Sequence, residues 1–131
     1  MSTRGEIGYK FPDGKVKVIY NHFDSYLNGV GKDLLEDWSL KEKALKVING
    51  GYNNEELKYE FNSVEEWIKH LDGSDREYAY LFKDDKWYYT ESNDNWEFKN
   101  YWKLLTKEDI KNDWKQKSWK MLEMRYNINW L

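Results

Sequence analysis

The chain has 131 residues, 34% of them charged, a formal net charge of -3 and no cysteine. That length fits a single domain over 1–131 able to bury its own core, and the lack of cysteine excludes disulfides, thiolate nucleophiles and cysteine-bound metal. The acidic balance disfavours a general coat for nucleic acid, and no apolar run reaches membrane-spanning length or makes a secretion signal, so the cytoplasm is the expected location with no membrane partner.

Glu6 to Phe11 and Lys15 to Phe23 read as two strands joined by the tight turn Pro12-Asp13-Gly14. Alternation puts Val16, Val18, Tyr20 and His22 on one face of the second strand, and Asp24 follows His22 if extension continues. The stretch Tyr20 to Lys32 is then a strand-to-helix corner. Leu34, Leu35 and Trp38 suggest a short helix. Ser39-Leu40-Lys41-Glu42 matches a capping box ahead of a second helix, which Asn49-Gly50-Gly51 ends. Within Tyr52 to Phe61, Leu57, Tyr59 and Phe61 alternate as in a short strand. Ser63-Val64-Glu65-Glu66 is another capping box, with Val64, Trp67, Ile68 and Leu71 as the buried stripe of its helix. Arg76 to Lys83, Lys86 to Ser92 and Trp96 to Leu104 read as three strands, with Asp84-Asp85 and Asn93-Asp94-Asn95 as turns. Thr106 caps a final helix carrying Ile110, Trp114, Met121 and Leu122, and the tail Tyr126 to Leu131 is apolar enough to dock on its own core or on a second copy.

This pattern predicts an α+β fold: an antiparallel sheet of about five strands, an N-terminal hairpin plus a C-terminal meander, with three to four helices packed mainly on one face. The aromatic content is high, 18% with 8 Trp and 11 Tyr, so rings are expected to supply much of the core while some line a pocket or an interface.

The corner concentrates the unusual chemistry. Gly29-Val30-Gly31-Lys32 fails the Walker pattern, because Tyr26 and Asp33 stand where a glycine and a hydroxyl residue are needed. Two glycines and a lysine before a helix can still offer N–H groups and charge to an anion, or make a purely structural turn with positive φ. His22 and Asp24 are close enough in sequence to pair, either as a structural bond or as a base acting on Ser25 or Ser2, although no nucleophile elbow is present. No third metal ligand has suitable spacing, so no metal or cofactor is expected, and His70 reads as a helix-end residue beside terminal carbonyls. Arg4, one of three arginines, offers a fork for phosphate or carboxylate and should lie near the Tyr20 to Asp24 end, as a clamp or as an ion pair with Asp24. Lys107, Lys111 and Lys115 form a ridge on the last helix that reads chiefly as solvated surface.

The motif Thr3-Arg4-Gly5-x-Ile7-Gly8 followed by Tyr20-Asn21-His22-Phe23-Asp24-Ser25-Tyr26-x-x-Gly29-x-Gly31 resembles a family of small proteins of phages and other large DNA viruses. The resemblance covers about the first quarter of the chain. Relatives commonly carry Pro in place of Leu27 and often Gly in place of Ser2, which argues against an amino-terminal nucleophile. It implies an accessory viral protein of a class that often counters host defence by sequestering a signal or blocking an effector. Together these readings give a non-catalytic module that binds a small phosphorylated or nucleotide-like ligand through Arg4, Tyr20, Asn21, His22, Asp24, Ser25, Tyr26, Gly29, Gly31 and Lys32. The alternatives are a protein-protein inhibitor of a host defence effector and a hydrolase dependent on His22 and Asp24.

Overall fold

The computed structural model describes residues 3–53 and 57–113. It is an α+β fold built on one six-stranded mixed sheet. The strands are β1 (Gly5–Lys10), β2 (Val16–Asn21), β3 (Lys58–Phe61), β4 (Tyr78–Lys83), β5 (Lys86–Glu91) and β6 (Lys103–Leu104), in the order β3-β2-β1-β4-β5-β6. The opening hairpin forms as the turn chemistry requires: Gly14 takes φ 91, and Phe11 and Lys15 close the loop through the Phe11 N–H to the Lys15 carbonyl.

The sheet is not purely antiparallel. β1 and β4 run parallel at its centre, Gly5 opposite Tyr78 and Tyr9 opposite Phe82. A parallel neighbour needs a long crossover, and the whole segment from β2 to β4 supplies it. Helices α1 (Lys32–Asp37) and α2 (Lys41–Lys46), together with helical residues 107–113, lie on one face, whereas α3 (Val64–Leu71) covers the other. Three of these four helical segments share one face, in line with the expectation of helices mainly on one face, and α3 alone covers the other. Both faces of the central strands are apolar: Ile7, Tyr9, Tyr78, Tyr80 and Phe82 meet α1 and α2, while Val16, Val18, Ala79 and Leu81 meet α3. Gly8 lets α3 come close, since a Cβ there would stand 2.8 Å from the Trp67 ring.

Two further expectations change. Ser39 does not cap the helix after it; its hydroxyl donates to the Leu34 and Leu35 carbonyls, at 3.2 and 2.6 Å, and closes the helix before it. Most of Trp96 to Leu104 is not strand, because Trp96 takes φ 61 and the Asn93 side chain accepts from the Asn95 and Glu97 N–H groups, curling the chain away until Lys103. The Ser63 cap forms with the Glu66 N–H at 3.2 Å. Trp114, Lys115, Met121, Leu122 and the tail 126–131, with any subunit contact assigned to it, lie outside the described residues. Among the described residues no helix is long and apolar enough to cross a membrane.

The aromatic face has a measurable consequence. Burial, then neighbouring charges, pushes the Tyr78 and Tyr80 phenols well above their ordinary value and Tyr89 up to about 12. A phenol raised in the folded state contributes stability that is complete below the unfolded value of about 10 and is lost as pH climbs toward the folded one. In an alkaline titration the Tyr78, Tyr80 and Tyr89 phenols should ionise only as circular dichroism reports unfolding. Complete ionisation of a still-folded protein would contradict this core.

Candidate functional site

Because β1 and β4 start at the same end of the sheet at which β2 finishes, Arg4, the Asn21–Ser25 corner and Arg76 converge there. The centre of this end is Glu6, whose side chain is fully buried on the α3 face of β1. Its carboxylate accepts from Trp67 Nε1 at 2.8 Å, from Arg76 Nε at 2.8 Å and from His70 Nε2 at 3.0 Å. Both oxygens of the buried carboxylate are thus engaged. The Arg76 guanidinium also reaches Tyr59 Oη at 3.2 Å and Asp75 at 2.6 Å, and its Cζ lies 4.4 Å from the Tyr20 ring centroid. Tyr20 Oη in turn meets His22 Nδ1 at 2.8 Å. A continuous chain of contacts therefore runs from a buried carboxylate to a half-buried imidazole.

The corner itself is closed by its own groups. The Asn21 amide donates to the Phe23 carbonyl and to Ser25 Oγ, and its oxygen accepts from Asn53 at 3.0 Å. Ser25 is buried, its carbonyl taken by Tyr80 Oη at 2.6 Å. The N–H groups of Gly29, Val30 and Gly31 go to the Tyr26 and Asp24 carbonyls, and Lys32 N–H to Gly29 and Leu27, while Asn28 N–H goes to Asp113 at 3.3 Å. No N–H group from Asn28 to Lys32 is left to cradle an anion, which corrects the glycine-backbone reading. Nor do Gly29 and Gly31 take positive φ; Gly29 is required because a Cβ would collide with the Asp24 carbonyl. The stretch Leu27–Gly31 is a π-helical turn wound tightly against that carbonyl.

Two pairings expected from sequence are not made. β2 ends at Asn21 and Asp24 takes φ 57, so alternation stops before Asp24, which accepts instead from Tyr26 Oη at 3.3 Å. Burial first, then Asp24, raises the Tyr26 phenol, which stays a donor. Arg4 bonds Asp75 at 2.9 Å rather than Asp24, since the turn before β4 brings Asp75 beside the start of β1. Partial burial raises the Asp75 carboxyl, but Arg76 and then Arg4 outweigh that and leave it below the usual carboxylate range. His22, Phe23, Asp24, Arg4 and Lys32 remain at least partly exposed, whereas Asn21, Ser25 and Gly31 are buried.

Sequence reasoning missed Glu6, His70 and Arg76 as one unit. An ionisable residue among the apolar and glycine positions of a central strand was the available signal. Among the described residues no group of three or more His, Asp or Glu side chains is placed to hold a metal ion. The buried Ser25 hydroxyl, bonded to Asn21, is not positioned as a nucleophile for His22. The arrangement can orient an imidazole, present an arginine and exclude water beneath both.

Replacing Glu6 by Gln should lower the unfolding free energy in urea by roughly 1.5 to 3 kcal/mol, because Arg76 keeps only the half-exposed Asp75 as a charge partner. Gly29→Ala should cost roughly 1 to 3 kcal/mol through collision with the Asp24 carbonyl, and an unchanged midpoint would refute the close approach. No protein-family model, characterised protein or solved structure matches the chain.

Proposed function

We propose that the protein is a non-catalytic binding module for a small phosphorylated or nucleotide-like ligand, held by side chains where β2 meets the corner. The supporting observation is the fixed imidazole of His22: with Nδ1 occupied by Tyr20 Oη, Nε2 is the nitrogen left to meet a ligand. Arg4 is 38% exposed and keeps N–H groups beyond the one given to Asp75. The Phe23 ring, 65% exposed and edge-on to His22 at 4.6 Å, offers a stacking face for a base. Asp24 can accept from ribose hydroxyls, and Lys32 adds a charge at the start of α1. In this reading Asn21, Ser25, Gly29 and Gly31 hold the corner's shape rather than touch the ligand.

The viral resemblance adds a role: a phage-type accessory protein of the host cytoplasm that withdraws a nucleotide-like defence signal. A protein-protein inhibitor of a defence effector is the second reading, favoured by the exposed Trp96, Tyr101 and Leu104 around β6.

Thermal shift with AMP, ATP, ADP-ribose and cyclic dinucleotides tests the first reading. A true ligand at a hundredfold excess over Kd should add about 2.7 kcal/mol, and Arg4→Ala or His22→Ala should remove that gain. Indifference to the whole panel at millimolar concentration would leave only the inhibitor reading.

A further inference from the structure

The opposite end of the sheet carries a cleft of about 320 Å³ between the β1–β2 and β4–β5 turns. Its floor is aromatic: Tyr9 lies 4.9 Å from Phe11 and 5.3 Å from Phe82, centroid to centroid. Its rim carries Asp84, Asp85 and Lys41. Lys10 and Lys83 also border it, but alternation carries their side chains to the α3 face, and Lys83 Nζ sits there over Tyr88 at 4.7 Å. The rim thus carries two carboxylates and one lysine, and Lys17 brings a second ammonium to the floor.

Tyr9 is the telling residue. It is 4% exposed, and its hydroxyl makes no hydrogen bond among the described residues. Every fully buried side-chain polar atom among those residues has a partner, so the Tyr9 oxygen is the part of the ring that reaches the open cleft. Burial first, and the Asp85 charge second, raise its phenol above the ordinary value. The turn is unusual as well. Asp84 and Asp85 both take left-handed backbone, φ 51 and 61, at positions where Asn-Gly or Asp-Gly is the ordinary choice. An ammonium already visits this aromatic group, Lys17 Nζ standing 5.6 Å from the Phe11 centroid.

We propose that this cleft binds a small organic cation, an ammonium or guanidinium on a slim alkyl chain. Its N–H groups would donate to the Tyr9 oxygen and the Asp85 carboxylate while its alkyl chain lies along the partly exposed Phe11 ring. Lys41, exposed and in no ion pair among the described residues, is the rim's competing cation. The site is independent of the His22 end.

The test is titration of the full chain with butylammonium and butylguanidinium at matched ionic strength, followed by amide chemical shifts. Saturable shifts confined to the two turns are expected, with Tyr9→Phe and Asp85→Asn each weakening binding by about tenfold. Asn tolerates left-handed backbone better than Asp, so Asp85→Asn should also raise the melting temperature, which separates lost binding from lost folding. Lys41→Gln should tighten binding. N-acetylarginine amide, run alongside, distinguishes an arginine of a partner protein from a free amine. Absence of saturable shifts from all three cations, or binding of inorganic phosphate at the same turns, would overturn the assignment.

Discussion

One buried carboxylate organises this molecule. Glu6 belongs to the central strand, yet its partners come from α3 and from the residue leading into β4. Taking a charge out of water costs several kcal/mol unless it is matched, and here a guanidinium, an indole and an imidazole share the matching. Since these donors are distant in sequence, satisfying Glu6 fixes three elements at once: α3 on its face, β4 beside β1, and Arg76 over Tyr20. A leucine at that position would bury as well and specify far less.

From this carboxylate the ordering passes outward in short steps. Arg76 lies against Tyr20, Tyr20 meets His22, and His22 abuts Phe23 at the surface. Asp75 closes a second branch by taking both Arg76 and Arg4. The charges nearly cancel within the group, so the end of the sheet is held by geometry rather than by a strong field. Side chains pre-set in this way lose little freedom on meeting a ligand.

Much of the local structure was legible in the sequence. Pro12-Asp13-Gly14, the Ser63 box and the alternation of Tyr78, Tyr80 and Phe82 each state a backbone preference that the fold obeys. What stayed hidden was long-range. The parallel pairing of β1 with β4 leaves no local mark, although the apolar character of both faces of β4 was consistent with helices on either side. The site followed the same division. His22, Asp24 and the glycines stood out by type, but their pairing turned on one residue, Asp24, leaving extended backbone. Gly29 was visible as a glycine, yet its reason, an approaching carbonyl, belongs to three-dimensional space. Ser39 was misassigned because a serine between two short helices can serve either, and the open carbonyls of the first helix took it.

The pairing of residue 5 with residue 78 bears on how the chain comes off the ribosome. β1 and β2 can zip together as soon as they emerge, but the other edge of β1, with its row of backbone N–H and C=O groups, has no neighbour until translation passes β4. Throughout that interval a nascent hairpin displays a sticky, unprotected margin of the kind that recruits holdase chaperones or seeds inclusion bodies. Fragments ending before β4 should therefore behave as insoluble peptides rather than as smaller versions of the domain.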